Sequence, residues 1–178
     1  MKGSTMKYFI RAIIAAAVLI VAFLIFLYSG IYNVSAMEPH NGLTLWMMNT
    51  VKGNSIKHQA KEIKAPNLND SSLVKLGFTH YREMCVGCHG GPGQSRDEIG
   101  QGLYPMAPTL AKSTKELSPS ELFWITKNGI KMTGMPAFGR THPDDKIWAI
   151  VSFLEKLPGM TKEQYQALDE ATKDESDE

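Results

Sequence analysis

The chain has 178 residues, of which 43% are hydrophobic and 21% charged, and its formal net charge is +1. This balance excludes a collagen, a disordered tail protein and a multispan channel, and the length fits one domain with an accessory segment. Because 19 Lys and Arg face 18 Asp and Glu, there is no surplus of positive charge to neutralise phosphates, so no nucleic-acid partner is expected. Both cysteines lie in one pentapeptide, which excludes a disulfide framework.

The N-terminal segment, residues 1–30, is predicted to be a cytoplasmic tip followed by a transmembrane anchor. Residues 12–28 are an unbroken apolar run, just long enough to cross a bilayer core as a helix. Lys2, Lys7 and Arg11 precede it, so the positive-inside rule places the N-terminus in the cytoplasm and the rest of the chain outside the inner membrane, in the periplasm. The alternative is a signal peptide cleaved near residues 34–36, which would export the same residues.

Residues 31–66 are predicted to form a periplasmic neck with an amphipathic helix over residues 41–63. Gly53 is a soft point in this helix and Pro66 stops it. Two interpretations stay open: the helix packs on its own domain or lies at the membrane surface, or it docks a partner subunit. Apolar residues at helical spacing support the helix: Leu43, Trp46, Met47, Val51, Ile56, Ala60 and Ile63.

Residues 67–160 are predicted to be an all-α domain, because short helical patterns alternate with loops rich in glycine and proline. The first helix has Ser71 or Ser72 as its N-cap and runs into the cysteine motif. The second opens with a capping box at residues 118–121 and stops near Asn128. The third starts around residues 141–142, with a proline in its first turn, and ends at residues 158–159.

The C-terminal segment, residues 161–178, is predicted to be a short helix followed by an acidic tail. Residues 161–164 have the form of a capping box. Residues 169–178 hold six carboxylates and one lysine, a composition typical of a solvated, frayed end.

The motif Cys85-x-x-Cys88-His89 is the signature of covalent haem attachment. The two thiols add to the two vinyl groups of a haem, and the adjacent histidine reaches the iron. A zinc site would need further ligands at suitable spacing, and a thioredoxin-type pair would need a βαβ setting. The sequence therefore predicts a single covalently bound haem c, with Cys85 and Cys88 as its thioethers and His89 as an axial iron ligand.

The second axial ligand is predicted to be Met135, since a methionine thioether is a suitable sixth ligand that favours reduced iron. The following proline fixes a non-helical turn, and Gly134 allows close approach. Met132 is the alternative ligand, and a third possibility is that both methionines only fill core space. Lys131 and Arg140 flank this loop, where they either neutralise haem propionates or are solvated surface charges.

Residues 68–158 resemble the class I cytochromes c, close to the bacterial membrane-anchored haem c subunits of haem-copper oxidases. Gly77, Tyr81 and Cys85 repeat the family's glycine, aromatic residue and first cysteine at steps of four. The resemblance implies that Gly77 lets the first and last helices of the domain cross closely. It also implies that the carbonyl group of Pro108 accepts a hydrogen bond from His89, and that residues 129–139 are the loop that carries the iron-ligating methionine.

The function implied is electron transfer by a membrane-tethered, monohaem cytochrome with redox protein partners, without transformation of a small-molecule substrate. The first hypothesis is a carrier or haem subunit of a respiratory complex that oxidises quinol or reduces oxygen. The alternative is the electron-exit subunit of a periplasmic dehydrogenase. A less favoured third hypothesis is a peroxidase or gas-sensing haem protein with an open iron site.

Overall fold

A computed structural model describes the backbone of residues 2–172. It is 65% helical and has no strand among these residues, so the prediction of an all-α fold is confirmed. The acidic residues 173–178 of the predicted tail lie outside the described residues. The α-helices of the described part are α1 (Lys2–Tyr28), α2 (Gly42–Ala60), α3 (Ser71–Met84), α4 (Val86–His89), α5 (Glu98–Gly102), α6 (Leu110–Ser113), α7 (Pro119–Asn128), α8 (Asp144–Lys156) and α9 (Lys162–Ala171).

The chain divides into two compact units, Met1–Pro39 and His40–Glu178. The first unit is dominated by α1, whose stretch Thr5–Tyr28 has 24 residues and a mean hydropathy of 2.9. At about 1.5 Å per residue this stretch exceeds the roughly 30 Å thickness of a hydrocarbon core. Helix α1 is therefore a candidate membrane anchor.

Helix α2 opens the second unit. The side chain of Asn41 caps it by accepting a hydrogen bond from the backbone N–H of Thr44 at 2.9 Å. The helix passes through Gly53 without a break and ends at Ala60, before the predicted end at residue 63. Ile56 and Ala60 are buried, and this C-terminal half of α2 packs against α7.

The N-cap of α3 lies one or two residues before the predicted position. The N-cap is Asp70, whose carboxylate accepts a hydrogen bond from the backbone N–H of Ser72 at 2.9 Å. The prediction of Ser71 or Ser72 at this position was wrong, because an aspartate at the N-cap satisfies a free N–H group and also complements the positive end of the helix dipole.

The centre of the second unit is the crossing of α3 and α8. A Cβ atom added to Gly77 would clash with the backbone carbonyl group of Ala149, so only glycine allows this approach. Phe78 and Tyr81 of α3 and Phe153 of α8 are fully buried and stack with tilted or edge-on rings 5.0–5.3 Å apart. Trp148 lies to the side of this crossing, stacked on Phe123 of α7 at 4.1 Å.

Two capping boxes and a proline define where α7, α9 and α8 begin. Ser118 with Glu121, and Thr161 with Gln164, form the reciprocal hydrogen bonds of a capping box at α7 and α9. Helix α8 starts at Asp144, later than the predicted residues 141–142, because Pro143 has extended backbone angles and serves as the N-cap.

Candidate haem site

The Cys85–His89 segment forms one tight helical turn at the end of α3. The backbone N–H of Cys85 donates to the carbonyl of Tyr81 at 2.9 Å, which makes Cys85 the C-cap of α3. The N–H groups of Cys88 and His89 both donate to the carbonyl of Cys85, at 3.2 and 2.9 Å. The two cysteines are therefore separated by one turn, with His89 immediately after them, which is the order that covalent haem attachment requires.

Both thiols are free in this turn. The side chain of Cys85 is buried and that of Cys88 is half-buried. Burial, and to a smaller extent the neighbouring Cys88, raises the pKa of Cys85 to about 12. A thiol in this environment stays protonated and resists general oxidation, so the sulfur atom of Cys85 remains available for a thioether bond.

The imidazole of His89 is oriented by Pro108. Its Nδ1 lies 2.8 Å from the carbonyl oxygen of Pro108. Since a carbonyl only accepts, Nδ1 carries the proton and the lone pair stays on Nε2. Burial lowers the pKa of His89, the Pro108 hydrogen bond opposes this, and the charge of Arg96 adds to it. A neutral imidazole with a free Nε2 and an anchored Nδ1–H is the state that binds metals, so these residues fit a haem iron.

The end of the turn is fixed to α3 by Tyr81. Its buried hydroxyl donates a hydrogen bond to the carbonyl oxygen of Gly90, which follows His89 directly and has a positive φ of 69°. Burial, with smaller contributions from Tyr165 and Cys85, raises the pKa of Tyr81. The hydroxyl therefore remains a donor at all physiological pH values, and the aromatic residue expected from the resemblance holds the backbone of the motif.

Met135 lies in a loop closed by its own hydrogen bonds. The backbone N–H of Ile130 donates to the carbonyl of Met135 at 3.3 Å, and the N–H of Met135 donates to the hydroxyl of Thr133 at 3.1 Å. A Cβ atom on Gly134 would lie 2.6 Å from a methyl group of Leu103. The loop thus packs against the segment that leads to Pro108, and the side chain of Met135 is half-buried.

The other predicted residues of this loop point to solvent. Met132 has 83% of its surface exposed and a positive φ of 60°. Lys131 and Arg140 are also exposed. A sulfur ligand must be shielded from water to hold iron, so the geometry favours Met135 over Met132, while the propionate contacts of Lys131 and Arg140 stay predictions.

Arg96 is a site residue that sequence reasoning missed. Its guanidinium group reaches the segment around Pro108, donating to the carbonyl of Ala107 at 2.7 Å. Arg96, Tyr81, Thr109 and Leu157 contribute to the wall of a cavity of 560 Å³ beside His89. Neither cysteine nor Met135 lines this cavity, so it lies on the His89 side of the motif. An arginine seven residues after the motif, in a glycine-rich loop, was the only signal available in the sequence.

Comparison with known families assigns this region. Residues 72–154 match the family described as cytochrome c oxidase, cbb3-type, subunit III. The matched segment runs from the first turn of α3 almost to the end of α8 and contains the cysteine motif, Pro108 and Met135. No curated protein matches the chain significantly.

Proposed function

Because residues 72–154 form a class I c-type cytochrome domain of the haem-copper oxidase type, we propose that the chain is a membrane-tethered carrier or haem subunit of a respiratory complex. The match to the family supports haem-based electron transfer. The finer proposal is one covalent haem c with His89 and Met135 as axial ligands, in a domain outside the inner membrane. It assigns electron transfer to the chain and no chemical transformation of a substrate.

The observation that carries the proposal is the hydrogen bond from His89 Nδ1 to the carbonyl of Pro108. It leaves Nε2 as the only coordinating atom of the ring and fixes the ring plane. The acceptor lies nineteen residues away, and the turn that carries His89 also carries two free thiols, Cys85 and Cys88.

The residues of the site have separate tasks in this proposal. When bound, a haem supplies an iron that takes up and releases one electron. Cys85 and Cys88 would hold the group covalently, and His89 and Met135 would bind its iron. The soft thioether of Met135 would favour the reduced state. The hydrogen-bonded turn and the buried aromatic core keep the protein matrix fixed while charge moves.

The membrane anchor defines where the protein works. Lys2, Lys7 and Arg11 lie in the first part of α1, before its unbroken apolar run, so the positive-inside rule supports a cytoplasmic N-terminus and a periplasmic haem domain. A tethered domain meets membrane-bound redox partners at a raised effective concentration. This supports a partner within a membrane respiratory complex and requires no strong charge steering.

The ligand assignment is tested with full-length protein expressed where haem c is attached. We expect haem to stay with the polypeptide under denaturing conditions in wild type, and to be lost in Cys85→Ala/Cys88→Ala. The oxidised wild type should show the methionine-to-iron charge-transfer absorption band. Met135→Ala should abolish this band, whereas the matched control Met132→Ala should keep it. A wild type without the band would refute Met135 as the ligand.

The partner assignment is tested by mild solubilisation of the native membrane and identification of the chains that co-purify. Subunits of a quinol-oxidising or oxygen-reducing complex would support the proposal. Recovery with a dehydrogenase would replace it by the electron-exit function. Recovery only as a monomer would favour a free tethered shuttle and contradict a role as a fixed subunit.

A further inference from the structure

Arg96 contacts the chain on both sides of Pro108. Its Nη2 donates to the carbonyl of Ala107 at 2.7 Å and lies 3.4 Å from the hydroxyl of Thr109, while Nη1 lies 3.3 Å from the sulfur of Met106. Within the segment Met106–Thr109, no hydrogen bond joins the guanidinium to Pro108, the residue whose carbonyl accepts from His89. The planar guanidinium group therefore binds the residues around Pro108 and leaves the Pro108 carbonyl free to accept from His89.

The backbone around Arg96 is fastened to the cysteine motif. The N–H of Asp97 donates to the carbonyl of Gly87 at 2.9 Å. A Cβ atom on Gly100 would clash with that same carbonyl group, so the start of α5 lies directly on the motif turn. The side chain of Gln101 donates to the carbonyl of Arg96 at 2.9 Å. The backbone beside Arg96 is thus hydrogen-bonded to the cysteine motif. The side chain of Arg96 is hydrogen-bonded to the segment Met106–Thr109, which contains the acceptor of His89.

We propose that Arg96 is a positioning residue that acts on His89 through Pro108, by fixing the distance between the motif turn and the Met106–Thr109 segment. This inference rests on the proposed role of His89 as an iron ligand. Without the guanidinium group, Ala107 and Thr109 lose the hydrogen bonds that connect them to the motif through Arg96. The Pro108 carbonyl is then free to move away from Nδ1. The hydrogen bond that sets the tautomer and the basicity of the ligand would then weaken.

Loss of the positioning by Arg96 and loss of its charge should change the reduction potential in opposite directions, so the two effects can be separated. A weaker hydrogen bond to Nδ1 leaves His89 a poorer electron donor to the iron, which destabilises the ferric state and raises the reduction potential. Loss of a nearby positive charge stabilises the ferric state and lowers the potential. The variant Arg96→Lys keeps the charge and loses the planar fork, so it isolates the positioning effect.

The experiment uses full-length, haem-loaded protein in detergent, with wild type, Arg96→Lys, Arg96→Gln and the control Lys112→Gln. Lys112 is an exposed cation close behind Thr109. The first readout is solvent exchange of the His89 Nδ1 proton in the ferrous state, measured by NMR. We expect exchange about tenfold faster in both Arg96 variants and unchanged in the control. The second readout is the reduction potential, which should rise in Arg96→Lys.

Three results would overturn the proposal. Unchanged proton exchange in both Arg96 variants would show that Pro108 is held by other contacts. An unchanged potential in Arg96→Lys with a lowered one in Arg96→Gln would show that only the charge matters. Failure of both variants to attach haem, with normal attachment in Lys112→Gln, would assign Arg96 to folding. A wild type that carries no covalent haem, by contrast, would refute the proposed function itself.

Discussion

Helices α2 and α3 each carry a glycine near their middle and a set of large apolar side chains, yet the fold uses them in opposite ways. Gly77 of α3 meets the backbone of Ala149, whereas nothing lies within 4 Å of a Cβ atom added to Gly53 of α2. Phe78 of α3 is fully buried, whereas Trp46 of α2 is 64% exposed. Helix α3 is thus a core helix, whereas α2 buries only residues near its C-terminus, Ile56 and Ala60.

The difference shows which helix the haem domain depends on. Helix α3 positions the cysteine motif directly, so a change that disturbs the packing of α3 also disturbs the geometry of the site. Helix α2 touches the domain through Ile56 and Ala60 near its C-terminus, and its first half leaves Leu43, Trp46 and Val51 exposed. Stability measurements on matched variants of the two helices test this division.

The largest effect is expected for Phe78→Ala. Phe78 has no exposed surface and its ring contacts those of Phe153 and Tyr165 edge-on, at 5.3 and 5.0 Å. Its removal should lower the free energy of unfolding by about 4 kcal/mol, because a cavity forms where three aromatic rings meet. Chemical denaturation of the haem-loaded protein, followed by haem absorbance, measures this loss. A loss below about 1 kcal/mol would mean that the crossing is not the core.

The second prediction compares the two glycines. Gly77→Ala should destabilise the protein by about 3 kcal/mol, because the new methyl group forces α3 and α8 apart. Gly53→Ala should stabilise it by roughly 0.5–1 kcal/mol, because alanine is favoured inside a helix and has free space there. Thermal unfolding followed by circular dichroism reads both variants. Equal effects of the two substitutions would break the comparison between the helices.

The third prediction concerns the attached half of α2. Ile56 is only 6% exposed, so Ile56→Ala should cost about 2 kcal/mol, at the low end for a core isoleucine because the contact with α7 is small. Val51 is 65% exposed and Val51→Ala provides the control, with an expected change within about 0.5 kcal/mol. A costly Val51→Ala would show that the first half of α2 is also packed on the domain.

The smallest effect is expected for Trp46→Ser. Trp46 buries little of its ring, so the free energy of unfolding in detergent should change by less than about 0.5 kcal/mol. The same variant also asks what the exposed face is for: its recovery with the membrane partners of the wild type, after mild solubilisation, is measured alongside stability. Reduced recovery at unchanged stability would assign the first half of α2 to partner contact.

The strongly periodic helices and the haem motif could be predicted from the sequence. Both capping boxes, the all-α class and the apolar segment of α1 follow from local patterns that need no tertiary information. Gly53, the soft point of the sequence pattern, does not interrupt α2, because a single glycine costs a helix only about 1 kcal/mol and the flanking residues favour continuation. The early end of α2 at Ala60 depends on tertiary contact, since the carbonyl of Ile63 accepts from Ser120 in a different helix.

Long-range contacts in the loop between the motif and α6 were beyond sequence reasoning. Helix α5 has five residues, too few for a periodic pattern. Arg96 reaches backbone and sulfur atoms ten to thirteen residues away, and backbone acceptors have no residue type that a sequence could reveal. The Pro108 contact was accessible only because its surroundings resemble a family. The roles of Met135, Lys131 and Arg140 stay predictions that the proposed spectra and variants address.

The contact between His40 and Tyr104 marks where the second unit begins to fold on itself. The backbone N–H of His40 donates to the hydroxyl of Tyr104 at 2.6 Å, and the two rings lie edge-on at 5.1 Å. The second unit is thus closed on itself from His40 onward, before α2 begins, and α2 is not part of the connection to α1. This connection is limited to residues 29–39, which measure about 40 Å when fully extended. The reach of the proposed tether is therefore set by eleven residues.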